Sequence, residues 1–327
     1  MARIVTFGEA MIRLTPPGNR RIEQARSFDV EIGGAELNCG VGLSRLGHAV
    51  EWVSLLPDNS LGRLIRNRVR EAGIDERHVQ FSNVGRCGLN FLEFGAAPRP
   101  SEVLYDRAGS SVSLVSPDTF DWNSILLGKD WFHVTGITPA LSESAATVVL
   151  AVIQMAKAAS LKISFDLNYR SKLWTPENAG KGLAALIPGF DLLIASTGDA
   201  EQLFGIRGSS FEDVARKLTD RFGVRGVASL RREETGSRSE RISALAWIEN
   251  RLVESKWYDV ETVDRIGSGD AFAAGMIHGS IRNDVSLGVE TGAAFAAIKQ
   301  TIPGDLPLAS SEEIATVIAG GSLRVKR

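Results

Sequence analysis

Short β-branched segments alternate with longer amphipathic segments along most of this chain of 327 residues. Five short runs have the composition of strands, at residues 4–7, 50–54, 131–135, 162–166 and 191–194. Four longer runs repeat apolar residues with the 3.6-residue period of helices, at residues 35–46, 61–72, 142–158 and 211–221. A strand–helix alternation of this length predicts an α/β fold with a mostly parallel sheet and helices on both faces.

Two regions interrupt the alternation, at residues 10–32 and 86–107, because strand-like pieces there follow one another without a helix between them. They predict hairpins that form a small antiparallel sheet projecting from the main domain. Above a cleft, such a sheet is a lid that excludes water; ordinary edge strands are the alternative. The polar run at residues 231–240 predicts a solvated loop, and the Ala- and Gly-rich segment beyond Gly267 predicts close helix packing. The sequence has no interdomain linker or internal repeat, so we expect a single domain over residues 1–327.

Composition and charge exclude several classes of protein. Hydrophobic residues make up 44% of the chain, and a net charge of −2 with a pI near 6.2 provides no basic field for nucleic acid or an anionic membrane. Cys39 and Cys87 are too few for a disulfide framework and are expected to be reduced. The most apolar stretch, residues 145–159, is shorter than a membrane span, and the first residues enter a strand pattern without an apolar leader. We therefore expect a soluble cytoplasmic protein without nucleic-acid or membrane partners.

Familiar cofactor motifs are absent from the sequence. Gly128 and Lys129 are followed by Asp130, so there is no phosphate-binding Gly-x-x-x-x-Gly-Lys-Ser/Thr loop, and no Gly-x-Gly-x-x-Gly fingerprint occurs. The four histidines lack the spacing of metal ligands, and His133 is expected to be a packed core residue of a strand. These absences argue against P-loop, dinucleotide and zinc-hydrolase mechanisms.

Residues 263–275 (VDRIGSGDAFAAG) have the composition of a functional site. Gly267, Ser268 and Gly269 are small, and an Ala-rich helical segment follows them directly. A turn of this kind presents backbone N–H groups at the positive end of a helix, where they can bind a phosphate or a developing anion. Asp270 has two interpretations: a cap in the first helical turn, or a general base that takes a proton from a hydroxyl attacking the bound phosphate.

Two motifs, far apart in the chain, carry a family resemblance. Residues 33–38 (GGAELN), followed by residues 40–47 and 58–62, resemble the first signature of the ribokinase-like (PfkB) sugar kinases, and residues 264–272 (DRIGSGDAF) resemble the second. The resemblance extends over nearly the whole chain. It implies a ribokinase-like three-layer α/β sandwich with a small antiparallel β-sheet lid, and the use of ATP and Mg²⁺.

Three further stretches, at residues 104–110, 136–142 and 165–174, resemble 2-keto-3-deoxygluconate kinases within this family. Their substrate is a sugar acid with a carboxylate that a hexose lacks, and a guanidinium fork binds a carboxylate by charge-assisted hydrogen bonds. The implied catalytic residues are Asp270 as base, with the amides of Gly267, Ser268 and Gly269 on the phosphoryl group. The implied substrate-binding residues are Gly33, Gly34 and Asn38 at the sugar hydroxyls, Asn90 and Tyr105 on the lid, Arg107 and Arg170 at the carboxylate, and Asp270 at the 6-hydroxyl.

The chain departs from the family pattern at several places. Asn90 stands where the family often has a second tyrosine, and Arg265 replaces a small residue before the phosphate-binding turn, where it either contacts a phosphate or pairs with Asp264. The family's Asn-x-x-Glu element reads Ser-Thr-Gly-Asp here, so Asp199 is expected to act on the metal through water. Residues 230–235 replace a Gly-rich stretch beside the nucleotide. The residues expected to contact ATP are Ser196, Leu230, Arg231, Gly267 and Gly269.

The expected function is ATP-dependent phosphorylation of the 6-hydroxyl of 2-keto-3-deoxygluconate. The nearest alternative is a neutral-sugar kinase of the same family, such as a fructokinase or ribokinase, and a remote one is a non-catalytic sugar or nucleotide sensor. The resemblance leaves open whether a monovalent cation assists. An exposed apolar face on the lid predicts a homodimer formed through the lid sheet, or a higher homo-oligomer.

Overall fold

The structure, a computed structural model, describes residues 1–236 and 238–321. Its strands are β1 (Arg3–Phe7), β2 (Met11–Thr15), β3 (Asp29–Gly33), β4 (Ala49–Pro57), β5 (Val79–Ser82), β6 (Gly88–Glu93), β7 (Glu102–Asp106), β8 (Trp131–Thr135), β9 (Lys162–Asp166), β10 (Leu192–Ile194), β11 (Gly226–Gly236), β12 (Ser239–Ile248), β13 (Arg251–Glu254) and β14 (Tyr258–Glu261). Its helices are α1 (Ala35–Arg45), α2 (Ser60–Glu71), α3 (Trp122–Leu126), α4 (Ile137–Ala140), α5 (Glu143–Ala158), α6 (Pro176–Leu186), α7 (Thr197–Phe204), α8 (Phe211–Phe222), α9 (Ser268–Ile281), α10 (Val285–Gln300) and α11 (Ser311–Ile318).

The main sheet has the strand order β13-β12-β11-β10-β9-β8-β1-β4-β5, with β14 paired to β12. Every neighbouring pair from β11 to β5 is parallel, whereas β12 and its neighbours β11, β13 and β14 pair in the antiparallel sense. Parallel neighbours need long crossover connections, which the intervening helices provide. The predicted α/β fold with a mostly parallel sheet is confirmed.

Helices cover both faces of the main sheet, so the fold has three layers. Successive side chains of a strand point to opposite faces. Thus Ile4 packs in the core beneath α1, α2, α9, α10 and α11, while Val5 packs in the core beneath α3, α5, α6, α7 and α8, and both side chains are fully buried. Burial on both faces explains why the strands are continuous apolar runs. Within the described ranges, no helix is both long and apolar enough to cross a bilayer.

Glycines bring α9 and α10 into close contact. A Cβ on Gly275 would lie 2.4 Å from the Cα of Gly292, and one on Gly279 would lie 2.3 Å from the Cα of Gly288. Any side chain at these positions would force the two helices apart. The predicted close helix packing is confirmed, and it fixes the position of α9, whose first turn contains Ser268, Gly269 and Asp270.

Strands β3, β2, β6 and β7 form a second, smaller sheet in that order. Its outer pairs are antiparallel, and the inner strands β2 and β6 pair in parallel, so two antiparallel pairs are joined edge to edge. The register places Arg13, Asn90 and Tyr105 side by side across three strands. The predicted small sheet from residues 10–32 and 86–107 is therefore present, with one parallel pair at its centre.

The polar run at residues 231–240 is not the solvated loop that its composition predicts. Residues 231–236 and 238–240 of this run form the outer part of the β11–β12 hairpin, in which Glu233 lies opposite Arg241, and residue 237 lies outside the described residues. Charged residues occupy consecutive positions here, so no apolar–polar alternation marks the run as a strand. The prediction was wrong because backbone pairing, supported by cross-strand contacts such as Arg241 to Glu233 at 3.7 Å, extends both strands beyond the core.

Candidate active site

A cavity of about 380 Å³ lies between the small sheet and the carboxyl ends of the central strands. Open α/β sheets bind their ligands at this edge. The predicted residues that line the cavity are Gly33, Gly34, Asn38, Asn90, Tyr105, Arg107, Arg170, Asp199, Gly267, Ser268, Gly269 and Asp270. Three predicted nucleotide contacts, Ser196, Leu230 and Arg231, lie outside this lining. Because the small sheet covers the cavity, we call it the lid.

Residues 267–270 form a turn at the start of α9 that we call the anion cradle. Gly267 has a φ of +83°, and a Cβ there would lie 1.9 Å from the backbone oxygen of Asp305, so glycine is required. The amides in the first turn of a helix have no acceptor within the helix. Gly267 and Gly269 line the cavity, and within the described residues their amides have no acceptor, whereas the Ser268 amide donates to the backbone oxygen of Arg265 at 3.3 Å. The two glycine amides and the helix dipole therefore favour an anion at this point.

Asp270 lies in the first turn of α9 and lines the cavity. Its Oδ2 accepts a hydrogen bond of 2.7 Å from Asn38 Nδ2, and Asn38 Oδ1 accepts one of 3.3 Å from the amide of Gly34. Burial raises the pKa of the Asp270 carboxyl above its ordinary value, while the bond from Asn38 and the charge of Arg170 oppose the rise. A carboxylate held in the cavity by the other sequence motif favours the general-base interpretation over the helix cap.

Two glycines allow the start of α1 to approach the cavity. A Cβ on Gly33 would lie 1.9 Å from Asp305 Oδ2, and one on Gly34 would lie 1.9 Å from the backbone oxygen of Glu9. Without side chains at these positions, β3 and α1 pack closely enough for Asn38 to reach Asp270.

Cationic and polar groups face the cavity from two sides. On the lid, Arg107 forms an ion pair with Glu9, and these side chains are only 11% and 4% exposed. The Arg107 guanidinium lies 5.8 Å from the centre of the Tyr105 ring, and Asn90 is the register neighbour of Tyr105. Arg170, which follows β9 in the chain, is exposed at the cavity edge. The structure thus groups three predicted residues on the lid and places the fourth on the main-sheet side.

Two further carboxylates, Asp166 and Asp199, line the cavity. Asp166 ends β9 and accepts hydrogen bonds of 3.1 and 3.3 Å from the backbone and side-chain nitrogens of Asn168. Burial, together with the charges of Asp270 and Asp199, raises the pKa of Asp166 to about 8. Asp199 Oδ2 accepts bonds of 3.2 and 2.7 Å from the amide and hydroxyl of Ser196 in the capping box of α7. Asp166 was not identified from the sequence; its signal is an acidic residue at the carboxyl end of a buried strand.

These two carboxylates fit one kind of metal site. Among the residues that the structure describes, no group of three or more His, Cys, Asp or Glu side chains could enclose a metal ion. Mg²⁺ in phosphoryl-transfer sites is commonly bound by one or two carboxylates together with substrate phosphates, and Asp166 and Asp199 provide that number. A divalent cation would also offset the carboxylate repulsion that raises the pKa of Asp166.

Arg232, rather than Arg231, reaches the anion cradle. Its Nη2 donates a hydrogen bond of 2.8 Å to Ser268 Oγ, and burial lowers the pKa of its guanidinium. Because side chains alternate along β11, Arg231 points to the other face, where it pairs with Glu254 at 3.1 Å. Arg232 was not identified from the sequence, because residues 231–240 were predicted to form a loop. In a loop, unlike a strand, the sequence does not indicate which side chains share a face.

A buried ion-pair group lies against the anion cradle, and two of its members, Arg13 and Asp305, also line the cavity. Arg13, on lid strand β2, pairs with Asp264 at 2.7 Å and with Asp305 at 2.6 Å, and its side chain is 3% exposed. Burial raises the pKa of Asp305 to about 7, even though the Arg13 charge opposes this. Arg265 instead pairs with Glu240 at 3.3 Å. The interpretation that Arg265 pairs with Asp264 is therefore wrong, because the lid arginine occupies that carboxylate.

Comparison with known proteins defines the class. Residues 1–307 match the family model described as pfkB family carbohydrate kinase, and the chain belongs to this family. The family identified from residues 33–38 and 264–272 is thereby confirmed.

Individual relatives are similar over the full length. The chain is 38% identical over 327 residues to a 2-dehydro-3-deoxygalactonokinase of Haloferax volcanii, and the match covers 100% of this chain and 99% of the relative. It is 27% identical over 332 residues to a 2-dehydro-3-deoxygluconokinase of Bacillus subtilis, with coverages of 96% and 95%. The crystal structure of a 2-dehydro-3-deoxygluconokinase from Thermotoga maritima has a TM-score of 0.95 and 36% identity, and covers 98% of this chain and 100% of that one. The three-layer fold with a small second sheet is confirmed.

Proposed function

We propose that this protein transfers the terminal phosphoryl group of ATP to the 6-hydroxyl of 2-keto-3-deoxygluconate, also called 2-dehydro-3-deoxygluconate. One observation carries the proposal: a single cavity contains a carboxylate beside an anion cradle, and arginines suited to an acidic sugar. The likeness to 2-dehydro-3-deoxygluconokinases and to a 2-dehydro-3-deoxygalactonokinase supports this substrate class.

At the reacting end of the cavity, Asp270 takes the proton of the 6-hydroxyl while that oxygen attacks the terminal phosphorus and the bond to ADP breaks. Its raised pKa makes it a stronger proton acceptor than an exposed aspartate, and Asn38 holds one carboxylate oxygen in place. The amides of the anion cradle, with the Arg232 guanidinium beside Ser268, stabilise the charge on the transferred group. Mg²⁺, held with ATP at Asp166 and Asp199, would neutralise phosphate charge.

At the other end of the substrate, Arg107 and Arg170 bind the sugar carboxylate, and Tyr105 contributes a hydroxyl donor. Glu9 fixes the Arg107 guanidinium before the substrate arrives, so less side-chain freedom is lost on binding. Asn90 lines the cavity beside Tyr105 in the position where a tyrosine is frequent, and its shorter side chain leaves more room there. Together these groups select an acidic sugar over a neutral one.

The first test is a coupled assay that follows ADP release with ATP, Mg²⁺ and a panel of sugar acids and neutral sugars. We expect Asp270→Asn to lower kcat by about 10²–10⁴-fold, the range for loss of a general base, and to leave ATP binding nearly unchanged. Full turnover in this variant would refute the role of Asp270. A panel in which a neutral hexose exceeds every sugar acid in kcat/KM would favour the neutral-sugar kinase instead.

The second test concerns the carboxylate. Arg170→Ala and Arg107→Ala are expected to raise KM for the sugar acid far more than for a neutral hexose. Arg170 is exposed, so its removal carries no folding cost, whereas Arg107→Ala leaves the buried Glu9 unpaired and must be checked by thermal unfolding. Equal losses with both kinds of sugar would exclude a carboxylate-binding role.

A second candidate substrate is 2-keto-3-deoxygalactonate, the epimer at carbon 4. The full-length 38% identity to a 2-dehydro-3-deoxygalactonokinase favours it. Both epimers share the carboxylate and the 6-hydroxyl, so the groups above bind either. The ratio of kcat/KM for the two purified epimers decides between them.

We also infer a homodimer formed through the outer face of the lid. Val30 and Leu104 are 42% and 54% exposed there, beside an edge-to-face pair of Phe28 and Phe91 at 5.9 Å. A second lid covering these side chains would remove apolar surface from water. Leu104→Arg is expected to yield a monomer in light scattering coupled to gel filtration, and an unchanged mass would contradict this interface.

We further infer a cytoplasmic location. ATP is available there, and Cys39 and Cys87 are free and buried, as in proteins of a reducing compartment. Cell fractionation followed by immunoblotting tests this, and recovery outside the cytoplasm would contradict it.

A further inference from the structure

Lys299, at the end of α10, is fully buried and lies behind the anion cradle. Its Nζ donates hydrogen bonds of 2.9 Å to the backbone oxygen of Asp264 and 3.0 Å to that of Ile302. The carboxylates of Asp264 and Asp305 pair with Arg13 instead. Within the described residues, no carboxylate lies at ion-pair distance from Nζ, and the hydrogen-bond acceptors of Nζ are carbonyl oxygens.

A buried ammonium bound by carbonyls is uncommon, because burial of a charge is costly without a direct counter-ion. Burial lowers the pKa of Lys299 to about 8, against the nearby charges of Asp264 and Asp305, which raise it. Nζ donates to two carbonyl oxygens, and the nearby carboxylates of Asp264 and Asp305 favour the charged amine, so the site holds a fixed monovalent cation.

This cation joins the two chain segments that support the anion cradle, residues 264–266 and residues 302–305. Asp264 accepts hydrogen bonds of 3.0 Å from the amides of Ile266 and Gly304, so its side chain already links the two segments. Gly267 packs directly against the backbone oxygen of Asp305. Lys299 adds a second link, because one carbonyl that it binds comes from each segment.

Carbonyl oxygens that converge on one point are also the ligands that proteins use for K⁺. We propose that the Lys299 ammonium occupies the place of a monovalent metal cation behind the anion cradle, so that phosphoryl transfer needs no added K⁺ or Na⁺. Lys299 is then a positioning residue: it touches neither ATP nor sugar, and it acts by holding the cradle amides and by adding positive charge behind them. This inference rests on the proposed kinase function.

The first experiment compares the wild-type enzyme in K⁺, Na⁺ and tetramethylammonium chloride at equal ionic strength. We expect kcat and the thermal midpoint to be the same in all three salts, with kcat differing by less than about twofold. Activation of the wild type by K⁺ of about tenfold or more, relative to tetramethylammonium, would overturn the proposal.

The second experiment uses two variants that differ in the space they leave. Lys299→Ala opens room for an ion between the carbonyl oxygens, and we expect kcat to fall about 100-fold, as for a displaced catalytic group. Both kcat and the thermal midpoint of this variant are expected to recover in K⁺ or NH₄⁺ but not in tetramethylammonium. Lys299→Met fills the space with an apolar chain and is expected to lose activity without recovery. Lys181→Ala, at an exposed lysine, is the control.

These outcomes separate the proposal from the proposed substrate. If no sugar acid is phosphorylated but K⁺ raises the thermal midpoint of Lys299→Ala and not that of the wild type, the substrate is wrong and the cation replacement stands. Wild-type kcat in Lys299→Met, or a folded Lys299→Ala that responds to K⁺ in neither rate nor midpoint, overturns the cation replacement. If Lys299→Ala does not fold, the wild-type salt comparison and Lys299→Met still decide.

Discussion

The most informative single substitution is Gly267→Ala, because it tests whether the shape of the anion cradle controls turnover. An alanine at a φ of +83° costs about 1–2 kcal/mol of folding free energy relative to its preferred conformations. In addition, its Cβ would lie 1.9 Å from the Asp305 backbone oxygen, whereas such contacts are essentially never below 3.0 Å. The cradle or the Asp305 segment must therefore move by the difference, about 1 Å.

A displacement of this size is large for a site whose donors must meet a charged transition state. Misplacement by about 1 Å can cost about 100-fold in rate, and loss of one oxyanion donor costs about 10²–10³-fold in kcat. We therefore expect Gly267→Ala to lower kcat by about 10²–10³-fold and to lower the free energy of unfolding by about 2 kcal/mol or more.

Gly269→Ala provides the matched stability control. Gly269 has no positive φ, and a Cβ there would meet no atom of the described residues within 4 Å, so we expect unchanged or slightly higher stability. Thermal unfolding followed by circular dichroism measures stability, and the coupled assay measures kcat. A Gly267→Ala enzyme with kcat within about threefold of wild type would refute the role given to the cradle.

Three further perturbations test other groups of the site. Asn38→Ala removes a hydrogen-bond donor that lowers the pKa of Asp270, so we expect this pKa to rise further. The acidic limb of the pH profile of kcat/KM, where the base becomes protonated, then moves to higher pH. A limb that stays in place or moves to lower pH contradicts this expectation. Arg232→Ala removes a cation that stabilises the charge on the transferred group, so kcat/KM for ATP is expected to fall about 10–150-fold, since a hydrogen bond to a charged group contributes about 1.5–3 kcal/mol. Arg231→Ala, on the opposite face, is expected to leave kcat/KM unchanged, and equal effects would contradict the geometry. Asp166→Asn is expected to raise the half-saturating Mg²⁺ concentration about tenfold. The thermal midpoint is not expected to fall, because burial already disfavours the charge of Asp166. An unchanged Mg²⁺ titration argues against Asp166 as a ligand.

The fold was predictable because its signals are local. Strand and helix periodicity places residues 35–46, 142–158 and 211–221 on helices whose observed bounds differ by a residue or so. The hairpin at residues 231–240 was not predictable in this way, because its outer strands bury little and therefore carry no apolar alternation.

The residues of the candidate site also differ in whether a local sequence signal identifies them. Asp270 and Gly267 lie in one motif, so their proximity is local, and the resemblance links them to Asn38. The pairs Arg13 with Asp264 and Lys299 with two backbone oxygens depend on contacts that join distant segments, and a backbone acceptor leaves no mark in a sequence.

Arg13 has a consequence for how this protein can diverge. It is a single side chain that joins lid strand β2 to the two segments, at Asp264 and Asp305, that flank the anion cradle. Replacement of Arg13 alone would leave two buried carboxyl groups without their counter-charge, at a cost of about 3–5 kcal/mol, whereas replacement of one aspartate leaves Arg13 paired with the other. A descendant of this enzyme can therefore change Arg13 only together with its two partners, so a lid that evolves to cover a different substrate must keep this arginine or replace all three residues.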